Sequence, residues 1–243
     1  MGIRYSVNES FFKHWSHPMA YTLGFLYADG SLEYSPSIRG KYLRVTSTDY
    51  QHIHSVRTIL ESKHTLVKAR KKSQNHRDSW LLRIGNSVLY NSLTMLGLEP
   101  NKSLTMTFPD IPHTFLSSFI RGYFDGDGCV YVEKGTSKSG LLTPKRLRII
   151  FTSGSREFLS ELLANLCKID SSFRNGKIST SLQNRAHRLV FPTSTSISLY
   201  IYMYKNTEQG LLLKPKFDKF NKYFDYRDLI KEVEKIKVKS AQW

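Results

Sequence analysis

The sequence predicts an α+β fold made of two pseudo-symmetric halves, each in the order αββαββα. Three observations lead to it. Residues 22–30 and 120–128 are apolar runs of one design, with small residues four apart (Gly24 and Ala28, Gly122 and Gly126) followed by Asp-Gly. Segments with the period-two alternation of strands follow each run. The landmarks also recur at a similar interval: Asp127 lies 98 residues after Asp29, and Thr152-Ser153 lies 106 residues after Thr46-Ser47.

The two apolar runs organise the rest. Residues four apart share one face of a helix, so each run presents a flat strip that is poor in side chains. Two such strips can pack backbone to backbone, closer than Leu or Phe would permit. The glycine after each Asp is expected to act as a left-handed C-cap. Asp29 and Asp127 would then meet at the foot of a tight helix pair. There the negative helix ends and the like charges both disfavour carboxylates. A divalent cation between them relieves the conflict, so the pair reads as a metal site.

Composition narrows the partner. The 243 residues hold 36 Lys+Arg against 20 Asp+Glu, a formal charge of +16, which points to a polyanion, nucleic acid first. No apolar run approaches the ~20 residues that span a bilayer, and no secretory signal is visible, so no membrane partner is expected. Met1 to Ser6 fits a myristoylation pattern too short to weigh. The two cysteines, Cys129 and Cys167, are too few for a disulfide framework and are expected to be small buried residues. The expected setting is intracellular, either a bacterial cytoplasm or an organelle.

In chain order, Phe11, Phe12 and Trp15 suggest a short helix, and Pro18 opens the first motif helix, 18–29, behind Ser16 or His17. Strands are expected over 31–39 and 41–47, the second alternating Leu43 and Val45 with Arg44 and Thr46. Asp49 caps a helix carrying Ile53, Val56, Ile59 and Leu60, whose His52 and His54 are expected at the surface. Lys68, Arg70 and Lys72 would share one face of the next strand, which returns through 80–84 to a short helix over 87–96. The second half repeats this order from a motif helix at 113–127. Its extra eight residues are expected in a long hairpin loop over 133–145. A loop over 212–216 echoes 98–102, and a Lys- and Glu-rich helix over 223–238 ends the chain. The halves divide at 110/111.

These features resemble the single-chain, two-motif LAGLIDADG homing endonucleases. The match over 120–128 is close; the match over 22–30 has Tyr27 where the pattern often has an acid. The resemblance covers roughly residues 18–220. It implies two four-stranded antiparallel sheets forming a saddle over double-stranded DNA, with the motif helices between them. It further implies a monomer that cuts both strands of a long asymmetric site by metal-dependent phosphodiester hydrolysis, leaving 3′ overhangs. An intron RNA maturase and a non-cleaving DNA-binding regulator are the alternatives on the same fold.

Carried onto this sequence, the family pattern makes Asp29 and Asp127 ligands of Mg²⁺, with Ca²⁺ or Mn²⁺ as substitutes, alongside the backbone carbonyls of Ala28 and Gly126. Lys102 and Lys216 become the basic residues of the cleft, with Lys214 a register alternative to Lys216. Ser47 and Ser153 stand where a water-positioning polar residue is expected. Asp125 is expected to bond backbone or a basic neighbour and not the metal. DNA contacts are expected from strand faces opposite the apolar set. In the first half these are Arg39, Arg44, Lys68, Arg70, Lys72 and Arg83. In the second they are Lys134, Arg146, Arg148, Arg174, Lys177 and Arg188.

Overall fold

The computed structural model describes residues 5–38, 40–69, 78–136, 140–181, 186–205, 207 and 211–227. Its elements run α1 (His17–Asp29), β1 (Gly30–Ser35), β2 (Gly40–Ser47), α2 (Tyr50–Ile59), β3 (Leu66–Lys68), β4 (Trp80–Gly85) and α3 (Ser87–Met95). They continue through α4 (His113–Asp127), β5 (Gly128–Thr136), β6 (Leu142–Ser153), α5 (Arg156–Ile169), β7 (Lys177–Thr180), β8 (His187–Phe191), α6 (Thr193–Tyr204) and α7 (Lys214–Tyr226). Two four-stranded antiparallel sheets result, ordered β1-β2-β4-β3 and β5-β6-β8-β7, so the second half repeats the first strand for strand.

By compactness the chain forms two units. The first holds residues 1–102 and 109–126 with 209–211; the second holds 103–108 and 127–208 with 212–243. Helix α4, up to Gly126, thus clusters with the first unit, and the reason is its packing on α1. A Cβ on Gly24 would run into the carbonyl oxygen of Phe119, and one on Gly122 would run into that of Tyr21. Both helices are buried almost all round, over 19–27 and 116–125. Within the first unit, Leu43, Val45, Leu82 and Ile84 turn one sheet face to the core, and Ile53, Val56, Leu89 and Leu93 supply α2 and α3. Within the second, Leu147, Ile149, Phe151, Leu189 and Phe191 do the same for their sheet, packed with Phe158, Leu162 and Leu166 of α5.

Several sequence expectations need correction. Residues 9–13 form turns instead of a helix. Gly30 is not a left-handed cap: its φ of −87° and ψ of 152° are extended, because α1 passes straight into β1. Asp127 is likewise followed at once by β5. The expected loop over 133–145 is mostly strand; β5 and β6 run to Thr136 and from Leu142, with a bulge between Glu133 and Lys134. Residues 214–216 open α7 and are not loop, since Pro215 suits a first helical turn. The extension of that helix over 228–238 lies outside the described residues. Cys129 is exposed because it alternates with buried Val130, and Cys167 is half-buried beside Leu166. His52 is buried, 4% exposed, because its ring packs edge-on to Phe25 at 4.4 Å.

Candidate nucleic-acid and metal site

The first motif helix delivers its acid by a defined route. Ser16 caps α1 by accepting a hydrogen bond from Met19 N at 3.2 Å, and the helix ends on exposed Asp29. Gly126 of α4 lies against this end. A Cβ there would strike the Ala28 methyl and come within 3.3 Å of Asp29 Oδ2. Buried Lys102 reaches the same place, donating from Nζ to the carbonyl oxygen of Gly30 at 2.5 Å. A carboxylate, a strand-opening carbonyl and an ammonium group are thus gathered at the junction of α1 and β1. Asp127 ends α4 and is exposed.

The two positions preceding the terminal acids differ. Tyr27 is buried and donates to the Leu96 carbonyl oxygen at 2.7 Å. Gly97, with φ +84°, leaves room for that hydroxyl. Burial, reinforced by Glu99, holds the Tyr27 phenol well above its usual range. Asp125 is 2% exposed and accepts the Tyr21 hydroxyl at 2.6 Å. Tyr21 O also lies 2.7 Å from His52 Nε2. The phenol has one proton and gives it to Asp125, so His52 Nε2 is the donor in the second bond. Asp125 is therefore built into the core beside the helix pair, where a phenol donates to it.

The open faces of the sheets carry the basic residues. In the first, β2 and β4 align Arg44 with Arg83 and Tyr42 with Gly85. Glu33 of β1 bonds both arginines: Arg44 Nη1 at 3.2 Å and Arg83 Nε at 3.1 Å. In the second, Glu133 of β5 pairs with Arg148 at 3.3 Å and Arg146 at 3.7 Å. Lys177 and Arg188 share that open face, because Lys177 aligns with Val190 and Ser179 with Arg188. Lys134 is exposed beside the bulge.

Other candidates fall elsewhere. Lys68 aligns with Trp80, two residues from buried Leu82, so it leaves the Arg44 face and pairs at the sheet edge with Asp78 at 2.8 Å. Arg174 is on a 3₁₀ turn, not a strand, because Asp170 caps Ser172 N and Phe173 is buried. Ser47 and Ser153 take the core-side parity, and their hydroxyls accept from the backbone of Asp49 and Ser155 as turn caps at 3.1 and 3.0 Å. Thr46 and Thr152 hold the open-face parity instead, aligned with Leu81 and Arg188. Lys214 is exposed and paired with Asp218 at 2.8 Å, whereas Lys216 is half-buried on α7. Arg39, Arg70 and Lys72 lie outside the described residues.

Among the described residues no three His, Cys, Asp or Glu side chains cluster as metal ligands. The donors at the helix ends are carboxylates and carbonyls, a set suited to a hard cation that keeps water or takes phosphate oxygens for its remaining positions. Asp29 and Asp127, each closing its motif helix, supply carboxylates of that kind. No helix among the described residues is long and apolar enough to cross a membrane.

Comparison with known proteins adds the family. Residues 114–190 match the model of a LAGLIDADG-like domain. No curated protein sequence matches the chain. Among solved structures, the I-LtrWI LAGLIDADG homing endonuclease bound to target DNA is similar with TM-score 0.57 at 11% identity, covering 96% of each chain. The homing endonuclease I-WcaI bound to its DNA recognition sequence gives 0.56 at 13%, over 86% of this chain and 89% of that one. I-SmaMI bound to uncleaved DNA in the presence of calcium ions gives 0.51 at 15%, over 93% of each. Residues 114–190 thus match a LAGLIDADG-like domain, and the chain carries over most of its length the fold of the LAGLIDADG homing endonucleases.

Proposed function

We propose that this chain is a site-specific DNA endonuclease that acts as a monomer and cuts both strands of a long, asymmetric duplex site, leaving 3′ overhangs. The observation that carries the reading is a repeat: each motif helix ends on an Asp, and each Asp opens a sheet whose free face bears arginines. The halves 1–110 and 111–243 would each address one side of the target. The DNA-bound state of the similar structures supports duplex DNA as partner, and intron RNA finds no such support. Calcium in one of them is consistent with a divalent ion, proposed here as Mg²⁺ with Mn²⁺ or Ca²⁺ as substitutes.

Asp29, Asp127 and the carbonyls of Ala28 and Gly126 would hold that ion. When bound, it supplies charge to the scissile phosphate and lowers the pKa of an attendant water. The chain's own contribution is placement. Lys102, fixed on the Gly30 carbonyl next to Asp29, brings a buried positive charge to where the phosphorane gains negative charge. Lys216 is proposed for the same role in the second half. Thr46 and Thr152 replace Ser47 and Ser153 as the hydroxyls on the reading side of the second strand in each sheet.

The test is cleavage of a plasmid library carrying randomised target sites, with Mg²⁺ and with EDTA. The wild-type chain is expected to linearise a defined subset only with Mg²⁺. Asp29→Asn and Asp127→Asn should bind that subset without linearising it. Linearisation by either variant at the wild-type rate refutes the reading.

A further inference from the structure

The open face of the first sheet holds one arginine in a way that DNA attraction alone does not require. Arg83 sits on β4 in the row of Arg44, yet its guanidinium crosses the Tyr42 ring, 3.7 Å from the centroid, to reach Glu33 on β1. The ring has room for this because glycines flank it. A Cβ on Gly85, its cross-strand partner, would lie 3.0 Å from the ring, and one on Gly40 would be closer still. Glu33 takes the Nε hydrogen of Arg83 at 3.1 Å and, with its other oxygen, Nη1 of Arg44 at 3.2 Å. Arg83 is thus fixed on one flat side by an aromatic face and along one edge by a carboxylate. Its two Nη groups make no hydrogen bond among the described residues.

These pairs are half-exposed, with Arg83 45% and Glu33 31% accessible, so they contribute little stability. Two arginines sharing one carboxylate also leave a single net positive charge, which weakens phosphate attraction relative to two unpaired arginines. Both features suit base reading better than backbone binding. An Arg whose Nε is occupied still offers its paired Nη groups to O6 and N7 of one guanine. A lysine, or an arginine with free rotamers, would not present that fork in one fixed plane.

We propose that Glu33 and Tyr42 are specificity-determining positioning residues that lock Arg83 as the reader of one guanine in the DNA site. This rests on the DNA-binding reading above and adds to it the base and the two residues that enforce it. In the second sheet Glu133 holds Arg146 and Arg148 with no ring stacked on either guanidinium among the described residues, so the strictest guanine preference belongs to the first half.

The test is selection from a randomised duplex library with Ca²⁺, using the full chain and its Arg83→Ala, Glu33→Gln and Tyr42→Leu variants. Circular dichroism confirms that each variant is folded. The wild type is expected to specify a G·C pair that all three variants relax, by about ten- to a hundredfold for Arg83→Ala, while other positions keep their preferences. Glu33→Gln should also steepen the salt dependence of binding, since a carboxylate is lost. Variants that weaken all sequences equally, or that alter different positions, overturn the proposal and leave DNA binding intact. A wild type that enriches no sequence overturns the DNA-binding reading and this inference with it.

Discussion

Gly24→Ala is the sharpest probe of the helix pair. In an isolated helix the change is favourable by about 1 kcal/mol. Here the new Cβ would overlap the Phe119 carbonyl oxygen and crowd the Tyr123 amide, and both are helical backbone that cannot swing aside. α4 must move away from α1. Overpacking of this kind costs about 1–3 kcal/mol, and the gap it opens also forfeits dispersion contacts along both helices. The upper end of that range applies, so the net loss after the propensity gain is about 2 kcal/mol. For a chain of this length each kcal/mol moves the melting temperature by roughly 2–4 °C, giving a drop of about 4–8 °C. Differential scanning calorimetry at a fixed scan rate measures it. Gly122→Ala should behave alike, because its Cβ meets the Tyr21 carbonyl and Phe25 amide. The double variant should lose less than the sum, since one displacement accommodates both methyls. Gly140→Ala, at φ +79° with open space around it, isolates the cost of backbone conformation. A Gly24→Ala protein as stable as wild type refutes the backbone contact.

Three further outcomes are expected. Lys102→Met should lower cleavage by about a hundredfold or more at unchanged DNA affinity, measured by single-turnover kinetics and gel shift, and loss of affinity alone would contradict the proposed role. Tyr21→Phe removes the hydroxyl shared by buried Asp125 and His52, and urea unfolding should register a loss of about 1–3 kcal/mol. Burial holds the His64 imidazole below its usual pKa, so the folded state takes up this proton less readily than the unfolded chain. Its contribution is complete above about pH 6.5 and is lost as pH falls toward its folded value, so His64→Gln should flatten the fall in urea midpoint between pH 7.5 and 5. An equal fall in both proteins would exclude that source.

The motif helices were legible because their signal is local: the small residues at four-residue spacing and the closing Asp all lie within one window. The succession of helices and strand pairs along each half also followed from the repeat. What the sequence hid depends on pairing between distant segments. Ser47 and Ser153 look like strand residues facing a site, but each ends its strand as a turn cap, and the parity falls to Thr46 and Thr152. Lys68 turns to the other face for the same reason, since one residue of register reverses a face. The Glu33–Arg83 bond joins positions 50 residues apart across an intervening strand, and no periodicity encodes that. The burial of His52 depends on a phenol and a phenylalanine from another helix, which its own stretch of sequence does not reveal.

In both halves helix turns into strand with no residue between, at Asp29–Gly30 and again at Asp127–Gly128. No hinge separates the acid from the surface proposed to inspect the DNA bases. In the proposed endonuclease a strand that shifts to accommodate an ill-fitting sequence would drag its own carboxylate with it, so imperfect recognition would be penalised in chemistry as well as in affinity. Lengthening either junction by one flexible residue would uncouple the two, yielding a protein that still discriminates when it binds but no longer when it reacts.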